Sequence, residues 1–559
     1  MAWKSNKNPM FRSQFSETIF NSKYAHENAT TWAELAKTLV EDVCREYMTK
    51  DEKDALTDHL TNLRWVAGGR YLYYAGRNRK FFNNCFLLRA EEDTREDWAN
   101  ISWKAESCLM TGGGIGIDYS IYRPAGSALG GTGGTASGSV TKMRMINEIG
   151  RSVMQGGSRR SAIYASLNWK HGDIYDFLTA KNWHDMQVGN SGYTLFDAKQ
   201  DDFNFPAPLD MTNISVNYDT DWLMQYWQTG NVGDVFMKNC QQALSTAEPG
   251  FSFNFFDKEN ETLRNACTEV TSADSDDLCN LASLNLARID NIEQLKEVVE
   301  LVTKFLICGT LVAELPYEKI YQTREKNRRL GLGLMGMHEW LIQRGERYEV
   351  NDELHRWLRV YKSVSDDTAD KFTDSMSISR SVAKRAVAPT GTIGIIAGTT
   401  TGIEPIFAVA YKRRYLKNNR WHYQYVVDAA AQEMIDVYGA SPDKIESAID
   451  LAEDYERRMK FQFDVQSYVD MSISSTINLP SWGSPLNNED TVEGFADTLA
   501  KYAHGLRGFT CYPDGARGGQ PLTSVPYKEA VEKLGTEFTE AVETHDVCDI
   551  TQHGGSCGV

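Results

Sequence analysis

The strongest constraint on this chain is an alternation. From Phe81 to about residue 520, short apolar runs of strand length alternate with helical stretches, and glycine clusters break them. Phe86-Leu87-Leu88, Ile163-Tyr164-Ala165 and Ile393 to Ile396 read as strands. Ten glycines fall between Gly112 and Gly138, and Gly156-Gly157 follow. That density marks turns and places where backbone must come close to a ligand or to another chain. The pattern predicts an α/β architecture with no internal repeat.

Before this region the texture is helical. Trp32, Leu35, Ala36, Leu39, Val40 and Val43 share one helix face within residues 31–48, and Thr31 with Glu34 forms a capping box. Helical pattern continues to about residue 66, so residues 1–80 read as a helical cap and 81–524 as the α/β unit. Val525 to Val542 reads as a last amphipathic helix. Beyond it a polar tail with two cysteines and a Gly-Gly-Ser reads as a mobile arm, so 525–559 form a third part.

Charge narrows the function. Lys and Arg total 59 against 76 Asp and Glu, a net charge of −17. A sequence-independent nucleic-acid binder needs a basic face, so this balance argues against one. No secretory h-region and no run of 18 apolar residues is present, which predicts a cytoplasmic protein with no membrane span. The ten cysteines are dispersed without a Cys-x-x-Cys pair, so no structural zinc site or other metal site is expected.

Four segments carry chemistry or its appearance. Gly331-Leu-Gly-Leu-Met-Gly336 matches a dinucleotide fingerprint but follows Lys326-Asn-Arg-Arg-Leu330, which is no apolar strand, so close helix packing is the better reading. Asn265-Ala-Cys-Thr-Glu269 would, if extended, project an amide, a thiol and a carboxylate to one side. The carboxylate can take a proton and the amide can hold a hydroxyl. The thiol can act as nucleophile or, oxidised by one electron, abstract a hydrogen atom. A buried structural cysteine beside a surface turn is the competing reading.

Cys85 lies in a strand-like run and Cys279 starts another. If those strands are neighbours the thiols can form a disulfide and deliver two electrons; otherwise they are two core cysteines. Ala388-Pro-Thr-Gly-Thr-Ile-Gly-Ile-Ile-Ala-Gly398 combines hydroxyls, glycines and free N–H groups, either an anion cradle opening a helix or an ordinary turn.

Taken in order, these pieces resemble the catalytic subunit of the ribonucleotide reductases. The motifs are Asn83-Asn-Cys85, Gly112-Gly-Gly-Ile-Gly116, Gly133-Gly-Thr-Ala-Ser-Gly138, Asn265 to Glu269, Cys279-Asn-Leu, Lys326 to Gly331 and Ala388 to Gly398. The resemblance runs from about Phe81 to the tail. It implies a ten-stranded α/β barrel with a central finger loop, preceded by the small helical region. Cys267 then matches the thiyl-radical cysteine that removes the ribose 3′ hydrogen, Glu269 the base for the 3′ hydroxyl, and Asn265 the group that holds it. Cys85 and Cys279 match the pair that protonates the departing 2′ hydroxyl and becomes a disulfide.

Cys548 and Cys557 would re-reduce that pair and be reduced in turn by a thioredoxin- or glutaredoxin-type protein. Their eight-residue separation is wider than the family's usual close pair. Thr390, Gly391, Thr392 and Ile393 match the substrate-phosphate loop, and Asn84 and Gly113 count as further substrate contacts. Ile117 to Gly131 and Gln155 to Ser166 resemble loops that read a deoxynucleotide or ATP specificity effector, with Asp93 and Arg123 as effector contacts. No ATP-cone motif precedes the cap.

The resemblance also bears on the source of the radical. The class that draws it from a ferritin-like metal-containing small subunit relays it through two adjacent tyrosines on a late strand. Here Cys511 precedes Tyr512 and no tandem pair stands there. Tyr512-x-Asp-Gly-x-Arg517 and Gly402-Ile-Glu-Pro-Ile-Phe407 resemble the adenosylcobalamin-dependent class, so that cofactor is expected; the small subunit, with no cofactor bound, is the alternative. Tyr73-Tyr74 reads as packing. The 13 residues between Ile117 and Gly131 leave no room for the insertion of the monomeric cobalamin enzymes, which predicts a homodimer. A redox-regulated nucleotide-binding protein without turnover is the more distant alternative.

Overall fold

The computed structural model describes residues 7–153, 161–189, 192–202, 205–417, 420–516, 522–534 and 537–541. In chain order the strands are β1 (Trp65–Ala67), β2 (Cys85–Arg89), β3 (Gly114–Asp118), β4 (Ile163–Asn168), β5 (Thr212–Tyr218), β6 (Gly250–Phe253), β7 (Leu263–Arg264), β8 (Thr271–Ser272), β9 (Asp277–Asn285), β10 (Leu330–Met335), β11 (Ala410–Lys417), β12 (Arg420–Val427), β13 (Thr476–Leu479), β14 (Gly508–Pro513), β15 (Leu522–Ser524) and β16 (Glu537–Ala541).

Ten of these strands form one sheet, ordered β1-β9-β2-β3-β4-β5-β6-β14-β13 with β10 on β9. Strands β2 to β6 run parallel, β9 with β10 and β13 with β14 are parallel pairs, and the two halves meet antiparallel at β2/β9 and β6/β14. Single bridges from Leu332 to Arg385 and from Val387 to Ile473 carry the pairing from β10 round towards β13, so the sheet curls into a barrel. Helices cover it outside, which is why β3, β9 and β10 are buried along their whole length.

The segment between β6 and β9 is the finger. It enters at the end of the barrel where β2 to β6 finish, descends through β7, turns at Cys267 and returns through β8. Two glycines of β3 make room for it. A Cβ on Gly116 would lie 1.7 Å from the Arg264 carbonyl oxygen, and one on Gly114 would lie 3.3 Å from Ala266 Cβ.

Outside the finger the structure corrects four readings. Residues 65–67, inside the stretch read as helical, form β1 and pair with β9 from Trp65↔Leu284 to Ala67↔Ala282; Trp32, Leu35 and Leu39 share one core with Phe305 and Leu306. Ile393 to Ile396 belong to the helix Gly391–Ala397, closed by Gly398 in the left-handed region; a short apolar run suits a buried helix as well as a strand. Gly331 to Met335 lies in strand β10, where a Gly331 Cβ would sit 2.6 Å from Cys279 Sγ, so those glycines serve close strand approach. Val525 to Val542 holds the helix Tyr527–Glu532 followed by β16, which completes the separate sheet β15-β11-β12-β16. Among the described residues no helix is long and apolar enough to cross a membrane, and no cluster of His, Cys, Asp or Glu side chains is placed to hold a metal ion.

Candidate active site

Cys85 opens β2 and Cys279 stands directly opposite it in the antiparallel register. Such partners have Cα atoms about 4.5–5.5 Å apart, within the span of a disulfide. Both are buried thiols without a bridge. Burial pushes both well above the usual thiol range, and the nearby Glu269 carboxyl adds to it. Near neutral pH they are S–H groups, suited to giving up protons and electrons together rather than to attacking as thiolates.

The finger tip is a turn, not the extended run expected of residues 265–269. Thr268 N–H donates to the Asn265 carbonyl at 3.0 Å, and Thr268 has φ +70°. Asn265 and Glu269 are therefore buried at the base of the turn, and Cys267 is exposed at its tip. Asn265 Nδ2 donates to Cys85 Sγ at 3.0 Å, and its Oδ1 accepts from Val270 N–H at 2.9 Å. The tip is tied to both halves of the barrel. Asn213 Nδ2 donates to the Ala266 carbonyl at 3.0 Å, and Ser472 N–H to the Glu269 carbonyl at 2.8 Å.

Burial raises the Glu269 carboxyl to about 7, against hydrogen bonds from Asn265 and the backbone that favour its charged form. Its Oε2 has no hydrogen-bond partner among the described residues, and the same holds for Asn84 Oδ1 and Ser472 Oγ. Buried polar atoms are normally satisfied, so Glu269 Oε2 keeps capacity for one further hydrogen bond.

Two networks to which the sequence assigns no role brace this arrangement. Asp277 Oδ2 accepts from Arg329 Nε at 2.9 Å, Asn327 Nδ2 at 2.8 Å and Ser272 Oγ at 2.7 Å. At the finger base Arg264 donates to Asn254 Oδ1 at 2.7 Å, while Arg507 bonds Glu261 at 3.0 Å. Burial would raise the Glu261 carboxyl, but the Arg507 guanidinium holds it near 2. The signal is present in Lys326-Asn-Arg-Arg and Asp277-Leu-Cys, charged residues abutting strands buried on both faces.

The pattern of the family "Ribonucleotide reductase, barrel domain" matches residues 83–360 and 379–512. The chain belongs to the ribonucleotide reductase family. A vitamin B12-dependent ribonucleoside-diphosphate reductase of Mycobacterium tuberculosis is 29% identical over 86% of this chain and 74% of that protein. A protein of the same name from Thermoplasma acidophilum is 26% identical over 88% of this chain and 67% of its own length. In fold, the class Id ribonucleotide reductase alpha subunit of Actinobacillus ureae superposes with a TM-score of 0.69 at 15% identity, covering 90% of this chain and 97% of that one.

In this reductase Thr390 precedes the helix Gly391–Ala397 with φ +51°, and its Oγ1 accepts from Gly402 N–H at 2.8 Å. The loop is joined to the finger by backbone: Val387 N–H donates to the Ser472 carbonyl, and Ser472 N–H to that of Glu269. From Thr390 the chain continues through Gly391 and Thr392 to Ile393, which is buried in the core. Gly113 is packed against Phe86, where a Cβ would lie 2.5 Å from the ring. Asp93 and Arg123 pair with each other at 2.6 Å. Tyr73 and Tyr74 pack edge to face. Cys548, Cys557, Arg517 and Gln155 to Arg160 lie outside the described residues.

Proposed function

We propose that this chain reduces ribonucleoside diphosphates to 2′-deoxyribonucleotides by thiyl-radical chemistry. The observation that carries the reading is Cys85 opposite Cys279, with Asn265 of the finger bonded to Cys85 and Glu269 buried beside them. Cys267, as a thiyl radical, removes the 3′ hydrogen atom. Glu269 takes the 3′ hydroxyl proton and Asn265 holds that oxygen. The 2′ hydroxyl then leaves as water with a proton from the thiol pair. Two electrons from Cys85 and Cys279 reduce the sugar as their disulfide forms, and Cys267 returns the 3′ hydrogen.

A diphosphate substrate and a vitamin B12 cofactor, here read as adenosylcobalamin, are in keeping with the relatives' names. The chain's fit to so large a group rests on Cys267, which is exposed while Cys85 and Cys279 are buried. When bound, the cofactor supplies a one-electron oxidant for that thiol. Thr390, Gly391, Thr392 and Ile393 bind the substrate phosphates through first-turn N–H groups, with Asn84 and Gly113 as further contacts. Cys548 and Cys557 re-reduce the active-site disulfide, with a thioredoxin- or glutaredoxin-type protein behind them. A deoxynucleotide or ATP effector binds by the 117–131 loop, near Asp93 and Arg123, in a homodimer. The three-part division into 1–80, 81–524 and 525–559 belongs to the same reading.

An anaerobic assay with dithiothreitol, cytidine diphosphate and effector, with and without adenosylcobalamin, tests the proposal. Deoxycytidine diphosphate forms only with the cofactor, and Cys267→Ala forms none. Product only after addition of a radical-generating small subunit would overturn the cobalamin part. Effector binding without turnover under any of these conditions would favour a non-catalytic nucleotide-binding protein.

A further inference from the structure

The helix Gly391–Ala397 has little of its own to hold it. Its seven residues, Gly-Thr-Ile-Gly-Ile-Ile-Ala, are too few for an isolated helix in water, and glycine and β-branched residues are weak helix formers. Thr390 at its N-cap makes no side-chain cap, because Oγ1 is turned to Gly402 N–H. The helix therefore depends on anchors from elsewhere in the chain.

Two of those anchors come from the extreme N-terminal part of the described chain. Ser16 Oγ donates to the Ile395 carbonyl at 2.6 Å, and Arg12 Nη1 donates to the carbonyl of Gly398, the helix C-cap, at 3.1 Å. The same Arg12 pairs with Glu339 and, through Nη2, approaches Glu433 at 3.5 Å. Glu339 is fully buried on the helix that follows β10 and also accepts from Thr399 Oγ1. One guanidinium thus joins the helix Met337–Gln343 that follows β10 to the end of this helix. A cation at a helix C-terminus offsets the partial negative charge there, and here it also balances a buried carboxylate. Ser16, Ile19 and Phe20 seat the helix Gln14–Lys23 in the core behind it.

We propose that Arg12, assisted by Ser16, is a positioning residue for substrate binding. By fixing the C-terminal half of the helix it keeps the first-turn N–H groups aimed at the substrate phosphates. This rests on the reading of residues 390–393 as the phosphate loop. It also gives a role to residues outside the region matched by the family pattern, which begins at residue 83.

Arg12→Gln, Arg12→Lys and Ser16→Ala in the full chain test it. For Arg12→Gln the KM for cytidine diphosphate rises about tenfold while kcat stays within about twofold, equivalent to about 1.4 kcal/mol of binding. Lysine restores part of the loss, since a single ammonium reaches Glu339 or Gly398 but lacks the guanidinium's fork. Hydrogen exchange of the 394–400 amides quickens in Arg12→Gln, while that of β2 and β9 does not change. An unaltered KM, or KM and kcat lost together with protection throughout the barrel, would overturn the proposal. If the unsubstituted chain binds no nucleoside diphosphate by calorimetry, the phosphate reading itself fails; exchange still reports whether Arg12 fixes the helix, so the two failures are distinguishable.

Discussion

Glu269 combines a catalytic assignment with a measurable titration. Burial lifts its carboxyl to about 7 from an ordinary value of 4.5, so the folded chain holds a proton there that the unfolded chain has released between those values. Stability contributed by the neutral form is therefore full below pH 4.5 and is lost as pH rises towards 7, at most about 3 kcal/mol. Glu269→Gln should flatten the fall in stability between about pH 5 and 7.5, measured by urea denaturation, and should slow turnover by about 10²–10⁴. An unchanged slope would mean that another group titrates. Asp277 is buried and paired with the Arg329 guanidinium. Arg329→Met should cost about 3–5 kcal/mol, because it leaves Asp277 buried without that partner; a variant as stable as the parent in the same denaturation experiment would show that the ion pair is not structural.

At the scale of elements, the finger works because β3 lacks side chains where it passes. Gly116→Ala places a methyl group against the Arg264 carbonyl. That clash cannot be relieved by a rotamer change and should cost about 1–3 kcal/mol with loss of turnover; parent-like melting and activity would refute tight finger packing. Much of this level is legible in the sequence. The capping box at Thr31 and Glu34 is formed, and the strand carrying Cys85 and the glycine-dense stretch lie where their composition puts them. The thiol pair is legible only as a condition, because register is a property of two strands and neither strand's sequence contains it. The tip reads as extended because its turn comes from a backbone hydrogen bond and from Thr268 with positive φ, which composition does not announce. The strand β1 is hidden in a helical pattern because three buried residues, Trp65 to Ala67, are too short a run to show a period.

For the whole molecule, the helical cap, the barrel and the N-terminal anchor act as one packed body, since the cap and the helix Ile292–Val312 share a core. Its exterior carries exposed Trp103, Met110 and Met145 on the neighbouring helices Arg95–Met110 and Ser139–Ser152, apolar surface that a second copy can cover. Sedimentation velocity with dTTP present should show a dimer, weakened by Trp103→Glu; a monomer at micromolar concentration would contradict the proposed assembly. The most direct test of the central claim is a single turnover of pre-reduced Cys548→Ala/Cys557→Ala enzyme, quenched, alkylated and mapped by mass spectrometry. The account predicts a disulfide joining Cys85 to Cys279 in amounts matching the deoxynucleotide formed, with Cys44, Cys108, Cys240 and Cys308 still thiols. Deoxynucleotide formed while Cys85 and Cys279 both remain alkylated would contradict it.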